Sequence, residues 1–202
     1  MPAAPPQESA EARIAEIARA HIKKFGATRT TVVGIAAEVG MTHANVYRYY
    51  PTKMELFEEI TASWLRPLEA QLREAADGAD PAYDKLERML FSVHRAYRRQ
   101  LENEPELFDL LIDALLKDRV SARKHRSRVQ SEVQRVVEEG ISSGAFALAD
   151  RRRALSLIFD AAHRFIHPVA MKLEKDAASS ALAARFEIVL SLVLRALRTG
   201  RT

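Results

Sequence analysis

A short polar run at positions 42–49 carries side chains that suit contacts with nucleic acid. It combines hydroxyl, imidazole, amide and guanidinium groups and contains no acidic residue. Hydroxyl groups bind phosphate oxygens, whereas guanidinium, amide and imidazole groups hydrogen-bond to base edges. Arg48 can pair with guanine through two hydrogen bonds, and Ala44 can meet the methyl group of thymine. The candidate contact residues in this run are Thr42, His43, Ala44, Asn45, Tyr47, Arg48 and Tyr49.

The neighbouring residues predict the two helices that would present this run. Ala36 is small where the helices must cross closely, and Gly40 can adopt a left-handed turn conformation. Thr30 or Thr31 can cap the second helix of the chain, and Thr42 can cap the third. The pattern is typical of a helix-turn-helix, and the alternative interpretation is an ordinary short surface helix. Three apolar residues at helical spacing would hold the two helices together: Ile35, Val39 and Val46.

Further motif residues lie on both sides of the helix-turn-helix. The first helix ends in Phe25-Gly26, and the third helix overlaps the run Tyr47-x-Tyr49-Tyr50-Pro51-x-Lys53-x-x-Leu56-Phe57. With these residues, the segment from about Ala12 to Phe57 resembles the TetR family of bacterial transcription regulators. The resemblance implies an N-terminal three-helix DNA-binding domain, a C-terminal helical ligand-binding domain and a homodimer formed mainly by the last two helices. One departure is Gly34 inside the second helix, which lowers helix propensity by about 1 kcal/mol.

The resemblance and the exposed polar pattern together imply a role for each candidate. Thr31 and Thr42 would direct hydroxyl groups and helix N-terminal amides at phosphates. Tyr47, Tyr49 and Lys53 would add contacts to the DNA backbone, with Lys53 forming an ion pair. For Tyr47 an alternative carries equal weight: the ring packs against the first helix and only the hydroxyl reaches outward. The implied partner is a double-stranded, palindromic operator, and the base-reading candidates are His43, Ala44, Asn45 and Arg48.

Hydrophobic periodicity predicts an all-α fold of about nine helices. Only seven glycines and eight prolines interrupt the chain, and no convincing strand alternation occurs. We expect a disordered tail at 1–9, a helix-turn-helix DNA-binding domain at 10–52, and a ligand-binding and dimerisation helical domain at 53–202. The helices expected in the third segment cover about 52–77, 82–101, 106–117, 119–139, 150–173 and 178–198.

The last two predicted helices carry unusually wide apolar stripes. In the final helix, Ile188 and Leu192 widen a stripe that already contains Leu182 and Phe186. Such a surface is broader than one core contact needs, so it should pack both inward and against another subunit. The sequence therefore predicts a homodimer built on these two helices.

Aromatic and polar residues of the C-terminal helices predict a cavity for a small-molecule effector of unknown identity, although most of them are expected to be core. The fourth helix is expected to border this cavity and to begin beside the third, so that its tilt would couple effector binding to DNA binding. Asp160, His163 and His167 lie at helical spacing and could hold a metal, but pocket lining or a buried hydrogen bond is the preferred interpretation. The candidate lining residues are Trp64, Met89, Phe91, His94, Tyr97, Phe108, Phe159, His163 and His167.

Two other patterns are interpreted without a catalytic role. The segment Gly140-Ile141-Ser142-Ser143-Gly144 fits the G-x-S-x-G pattern of hydrolases. That motif requires a preceding strand, whereas the residues before Gly140 have helical periodicity. The basic stretch at 117–128 is interpreted as a solvated helix face, with an anionic effector or a DNA contact as the alternatives.

Composition narrows the possible functions. The 202 residues carry 31 Lys and Arg against 27 Asp and Glu, a net charge of +4, and no cysteine, which excludes disulfides, cysteine nucleophiles and iron–sulfur clusters. Positions 20 to 54 contain five basic residues and one acidic residue, so the excess of positive charge coincides with the motif. Neither a membrane span of about 18 apolar residues nor an export signal is visible, so we expect a cytoplasmic protein without cofactor, metal or enzymatic activity. The alternatives are a helical ligand-binding protein without DNA binding and a metal-dependent enzyme.

Overall fold

The structure, a computed structural model, describes residues 9–148 and 150–200. All regular secondary structure in these residues is helical, so the all-α prediction is confirmed. Ser9 caps the first helix by accepting a hydrogen bond from the N–H of Ala12, and the rest of the predicted tail at 1–9 lies outside the described residues. The helices are α1 (Ala10–Arg29), α2 (Val32–Val39), α3 (His43–Tyr49), α4 (Lys53–Asp77), α5 (Ala82–Asn103), α6 (Pro105–Leu116), α7 (Val120–Ser142), α8 (Arg151–Ile166), α9 (Pro168–Leu173) and α10 (Ser179–Thr199).

Two helices differ from their predicted bounds. His167 is extended, with φ −95° and ψ 122°, so the single helix expected at about 150–173 is divided into α8 and α9. The division follows from Pro168, because the residue before a proline is disfavoured in the helical conformation and proline is well suited to the first helical position. Gly26 interrupts α1 with φ 77° and ψ 161°, yet the helix resumes and ends at Arg29.

The buried apolar side chains form two clusters. The N-terminal cluster joins α1, α2, α3 and the first two turns of α4, and a larger cluster fills the space among the remaining helices. Helix α6 belongs to both: Leu107 and Leu110 lie in the N-terminal cluster, whereas Phe108 and Leu111 lie in the larger one. Burial of each such side chain stabilises the fold by about 1.5 to 3 kcal/mol. The two parts of the molecule are therefore fastened together through α6.

Helix α10 presents apolar side chains on two sides. Its inner face, which includes Phe186 and Leu190, is buried in the larger cluster. On its outer face, Ile188 is 63% exposed and Leu192 is 59% exposed. None of the helices in the described part of the chain is long and apolar enough to cross a membrane.

The segment 140–144 forms the end of α7 and is not preceded by a strand. The hydroxyls of Ser142 and Ser143 donate to carbonyls of the last turn, at 3.0 and 3.3 Å. The ring of Phe146 packs against Gly140 so closely that a Cβ there would lie 2.2 Å from Cδ2 of the ring. The glycine and serines of this segment therefore serve the packing and termination of α7.

Candidate nucleic-acid interface and effector cavity

Two hydroxyl caps and one glycine fix the geometry of the helix-turn-helix. The hydroxyl of Thr31 accepts a hydrogen bond of 3.1 Å from a backbone N–H in the first turn of α2. Gly40 ends α2 in the left-handed region, with φ 76° and ψ 33°, where a residue with a Cβ would be strained. The hydroxyl of Thr42 caps α3 in the same way, at 3.3 Å. Thr30, the alternative cap for α2, is buried and donates to the carbonyl of Gly26 instead.

Helix α3 presents nearly all of its surface to solvent. Val46 is its one buried residue, and it lies in the N-terminal cluster between α3 and the preceding helices. Tyr47, for which two roles are predicted, is 43% exposed. Hydroxyl, amide, imidazole and guanidinium groups are therefore available together, with no carboxylate among them. The exposed candidates are Thr42, His43, Ala44, Asn45, Tyr47, Arg48 and Tyr49.

Lys53, the predicted ion-pairing residue, is half-buried and bound to the protein's own backbone. Its Nζ donates a hydrogen bond of 3.0 Å to the carbonyl of Ala27 and lies 5.0 Å from the ring centre of Phe57. This position brings a cation to the C-terminal end of α1, where the partial negative charge of the helix favours it. An ammonium group has three N–H donors, so two remain for a phosphate. Lys53 therefore positions the start of α4 against α1.

A close approach of α1 to α2 explains the glycine inside α2. A Cβ at Gly34 would lie 3.3 Å from Cε1 of His21 and 3.2 Å from Oγ1 of Thr31. Beside this contact, Nε2 of His21 pairs with Oε2 of Glu38 at 2.5 Å. The helix propensity lost at Gly34 is thus accompanied by close packing and a side-chain hydrogen bond between the helices. Nothing in the sequence around His21 or Glu38 marks them as partners.

Glu104, at the corner between α5 and α6, holds the helix-turn-helix to the C-terminal helices. Its carboxylate accepts hydrogen bonds from Arg19 at 2.5 Å and Lys23 at 2.9 Å, both on α1, and from Gln100 at 2.8 Å. Burial raises the pKa of Glu104, but these donors outweigh burial and bring the pKa down to about 2. An ionised carboxylate therefore joins α1 to the α5–α6 corner at neutral pH.

A cavity of about 220 Å³ lies among the C-terminal helices. Its walls come from α5, α6, α7, α8 and the start of α9. Helix α4 contributes no lining residue to this cavity, whereas the sequence predicted that α4 borders the effector cavity. This helix lies behind α7 and reaches the wall through the carboxylate of Glu69, which contacts the lining residue His125. The cavity is lined by Val93, Tyr97, Leu111, Leu115, Ala122, His125, Arg126, Val129, Gln130, Phe159, His163, Ile166, His167 and Pro168.

Four of the nine predicted lining residues lie in this cavity wall, namely Tyr97, Phe159, His163 and His167. The other five lie elsewhere. Trp64 and Phe108 pack on each other and on Tyr97, behind the cavity wall. Apolar periodicity cannot separate such core residues from wall residues, because both lie on inward helix faces.

The remaining three predicted lining residues are parts of the larger cluster. Met89 is fully buried, and Phe91 packs on Phe186 with ring centres 5.1 Å apart. His94 is buried, and its Nδ1 donates a hydrogen bond of 2.8 Å to the carbonyl of Phe165. Burial lowers the pKa of His94, so the ring is neutral at pH 7. It is a core histidine whose buried nitrogen is satisfied by the backbone.

Four side chains, which we call the cavity floor, form a chain of hydrogen bonds that starts at the cavity wall. Of the four, the sequence pattern indicated only Tyr97. The Tyr97 hydroxyl lies 2.7 Å from Nε2 of His125, whose Nδ1 lies 2.8 Å from Oε1 of Glu69, and Arg128 donates to the other carboxylate oxygen. Burial raises the pKa of Glu69, but the hydrogen bonds from His125 and Arg128 outweigh burial. The pKa of Glu69 therefore lies below its ordinary value. An ionised Glu69 can only accept, so Nδ1 of His125 donates to it and the Tyr97 hydroxyl pairs with the other ring nitrogen, Nε2.

Two histidines stack at the α8–α9 junction. The rings of His163 and His167 are parallel within 15° and have centres 4.5 Å apart. Burial lowers the pKa of His167, and the charges of His163 and Arg126 lower it further. Asp160, which shares the helical spacing of the two histidines in the sequence, is not a lining residue. Across the described residues, no three His, Asp or Glu side chains are grouped to hold a metal ion.

The basic stretch at 117–128 is balanced by carboxylates. Asp113 pairs with Lys117 at 2.5 Å, and Asp118 pairs with Arg123 at 3.3 Å. Asp118 also lies 3.6 Å from Arg126, which lines the cavity. These pairs are consistent with the solvated-face interpretation for most of the stretch, whereas Arg126 is placed for a role at the cavity.

Two family profiles cover most of the chain. Residues 14–60 match the bacterial regulatory proteins of the tetR family, and residues 82–189 match the tetracyclin repressor-like C-terminal domain. The second match alone spans more than half of the chain. The chain belongs to the TetR family. It is accordingly a DNA-binding transcriptional regulator with an N-terminal helix-turn-helix domain, in a family that is not enzymatic.

Known TetR-family and related regulators resemble the chain over most of its length. The uncharacterized HTH-type transcriptional regulator YhgD of Bacillus subtilis (strain 168) is 26% identical over 143 residues, which are 68% of this chain and 72% of that protein. FadR from Bacillus subtilis, solved with stearoyl-CoA, has a TM-score of 0.65 at 21% identity and covers 90% of this chain and 96% of its own. RolR, solved with resorcinol, has a TM-score of 0.60 at 15% identity, covering 93% and 86%. These structures share the TetR-family fold.

Proposed function

We propose that this TetR-family regulator is a repressor that binds a palindromic operator as a homodimer and releases it when a small-molecule effector enters the cavity. The observation that carries the proposal is α3, which has one buried anchor, Val46, and an otherwise exposed polar surface without acids. Residues 10–52 would form the DNA-binding domain, and residues 53–202 the effector-binding and dimerisation domain. As a DNA-binding regulator, the protein would act in the cytoplasm.

On DNA, α3 would lie in the major groove. Thr31 and Thr42 cap α2 and α3, and their hydroxyls and the first backbone N–H groups of each helix would contact phosphates. Tyr47, Tyr49 and Lys53 would add phosphate contacts beside them. Each bidentate base contact would discriminate against a wrong base by about 1 to 3 kcal/mol. The proposed base-reading residues are His43, Ala44, Asn45 and Arg48.

The homodimer would form through α8 and α10. The exposed Ile188 and Leu192 extend the apolar surface of α10 beyond what its own core contact requires. Two-fold pairing through this face would place two α3 helices on one side of the dimer. Their separation must be about 34 to 36 Å to match successive major grooves of a palindromic site.

Helix α6 is the element that would couple the cavity to DNA. Leu111 and Leu115 line the cavity, and Leu107 and Leu110 of the same helix lie in the N-terminal cluster. An effector that displaces the first pair therefore also displaces the second. The resulting movement would change the separation of the α3 helices, and coupling of about 1 to 3 kcal/mol is typical for linkage of this kind. The ligands bound by RolR and FadR support effector binding in general and do not identify the effector here.

Footprinting on the DNA that flanks the protein's own gene tests the proposal. We expect one protected site with two-fold symmetry, and an affinity that falls steeply with salt because cationic side chains release counterions from phosphates. Protection should weaken when an effector is added. A protein that binds small molecules but shows no salt-dependent affinity for duplex DNA would instead be a helical ligand-binding protein, and the repressor assignment would be lost.

A further inference from the structure

The size of the cavity suits a small molecule. Its volume is about 220 Å³, and an apolar cavity of about 150 Å³ already holds benzene. The space therefore suits one substituted ring. Apolar groups make up most of the wall and can pack against the faces and edges of such a ring. They are contributed by Val93, Leu111, Leu115, Val129, Phe159 and Ile166.

The only formally charged lining residue among those described is the cation Arg126, and the other polar ones are Tyr97, His125, Gln130, His163 and His167. No Asp or Glu is therefore a lining residue in the described part of the chain. Two carboxylates stand close behind the wall. Asp118 is 3.6 Å from the Arg126 guanidinium, and Glu69 is hydrogen-bonded to both His125 and Arg128. Both are therefore engaged by cations or by a histidine, and neither faces the cavity as a free negative charge.

One polar atom of His167, a lining residue, has no hydrogen-bond partner among the described residues. This atom is Nδ1, and it is buried. A buried polar group without a partner destabilises the protein, so such an atom commonly marks a missing partner. Arg126 lines the same cavity, and its positive charge contributes to lowering the pKa of His167. With the ring proton on Nδ1, an acceptor that binds between the two side chains would satisfy both.

We propose that the effector is a single-ring aromatic carboxylate, held by its carboxylate between Arg126 and His167 and by its ring against the apolar wall. A carboxylate is favoured over other anions because the planar guanidinium fork matches its two oxygens. This inference rests on the proposed function only in calling the ligand an effector. The binding site itself does not depend on DNA binding.

Calorimetric titration with benzoate, and with its neutral isostere benzamide, tests the inference. We expect benzoate to bind and benzamide to bind at least about ten-fold more weakly, since a hydrogen bond to a charged group contributes about 1.5 to 3 kcal/mol. Arg126→Gln should weaken benzoate binding by about ten-fold or more. The control is Lys124→Gln, an exposed cation on α7 that is not a lining residue, and it should change binding less than about two-fold.

Resorcinol and stearoyl-CoA serve as competing probes. Binding of either with no binding of benzoate, equal binding of benzoate and benzamide, or unchanged binding in Arg126→Gln would each overturn the inference. Operator affinity is measured separately with and without benzoate. If benzoate binds through Arg126 but leaves operator affinity unchanged, the ligand class stands and the proposed release mechanism fails. If resorcinol releases the operator and benzoate does not bind, the release mechanism stands and the ligand class fails.

Discussion

Glu104 and Arg19 are joined by a hydrogen-bonded ion pair of 2.5 Å, although they are 85 positions apart in the chain. The pair connects α1 of the DNA-binding domain to the corner from which α6 starts. Since α6 also lines the cavity, this contact lies on the route by which we propose that effector binding reaches α3. Both side chains are partly shielded, so their attraction is screened less than that of a surface pair.

Replacement of Glu104 should make the free energy of unfolding depend less on pH in the acidic range. The pKa of Glu104 is about 2 in the folded protein, below its ordinary value of 4.5, so its ionisation stabilises the fold above about pH 4.5. That contribution is lost as the pH falls from 4.5 towards 2. Glu104→Gln should lower the free energy of unfolding by about 1 to 2 kcal/mol at pH 7. Urea unfolding at pH 7 and pH 3.5 should show the difference between the two proteins shrinking at the lower pH.

A matched control for Glu104→Gln is Glu55→Gln, in the first turn of α4, since no salt bridge holds that carboxylate in the described structure. The control should change stability little at either pH. A difference between Glu104→Gln and the unaltered protein that stays constant from pH 7 to pH 3.5 would contradict the lowered pKa.

Loss of the arginine on α3 should weaken operator binding in a sequence-dependent manner. Arg48→Ala removes the only guanidinium of α3, so operator affinity should fall by about 1 to 3 kcal/mol while stability stays unchanged, because Arg48 is exposed. Fluorescence anisotropy with operator and scrambled duplexes provides the measurement. Arg73→Ala is the control, since Arg73 is exposed on α4, about 30 Å along the helix from its first residue. Unchanged affinity for every duplex in Arg48→Ala would remove α3 as the recognition helix.

A charge on the outer face of α10 should dissociate the dimer. Ile188 is exposed in the single chain, so Ile188→Asp should leave the fold intact while placing a carboxylate in the proposed interface. Sedimentation velocity at micromolar concentration should show a dimer for the unaltered protein and a monomer for the variant. Leu173→Asp, on α9, replaces an apolar side chain that is 83% exposed and should remain dimeric. The proposed interface fails if Ile188→Asp is also dimeric.

Removal of the Tyr97 hydroxyl should destabilise the cavity floor. Tyr97→Phe leaves Nε2 of the buried His125 without its donor, which should lower the free energy of unfolding by about 1 to 2 kcal/mol. Thermal unfolding at one fixed protein concentration should show a Tm lower by about 2 to 8 °C. Tyr83→Phe, on the same helix, removes a hydroxyl from a half-buried tyrosine and should have little effect. Equal Tm values for the two variants would mean that the Tyr97 hydrogen bond contributes nothing net.

A methyl group at the end of α7 should be poorly tolerated. In Gly140→Ala the added Cβ would lie 2.2 Å from the Phe146 ring, so the ring must move. Overpacking of this kind destabilises by about 1 to 3 kcal/mol, and the helix propensity gained from alanine offsets up to about 1 kcal/mol. Urea unfolding should therefore give a net loss. In Gly78→Ala the nearest atom is 3.4 Å away, so a comparable loss there would contradict the packing explanation.

The helix-turn-helix could be predicted from the sequence because its determinants are local. Gly40, Thr42 and Val46 act within one turn of their own helices, so spacing alone identifies a turn, a cap and a buried anchor. The division between α8 and α9 could also be predicted from Pro168, since a proline constrains the residue that precedes it. We predicted one continuous helix because the helical periodicity of apolar residues continues on both sides of Pro168.

The cavity could be predicted only in part, because its floor depends on contacts between distant segments. His125 lies within a basic stretch that looks like a solvated surface, yet its partners Tyr97 and Glu69 are 28 and 56 positions away. Only the packing of α4, α5 and α7 brings them together. Trp64 packs on the lining residue Tyr97, whereas Phe159 is itself a lining residue. Tertiary packing determines this difference, and it cannot be deduced from residue type.

The dual membership of α6 has a consequence for dissection of the protein. A fragment that ends at residue 52 would lose Leu56, Phe57 and Ile60 together with Leu107 and Leu110, which supply part of its only core. Such a fragment should be a poorly ordered peptide, and the intact chain should melt as one cooperative unit. A chimaera that joins this DNA-binding domain to the effector-binding domain of another regulator would therefore have to include the apolar face of α6.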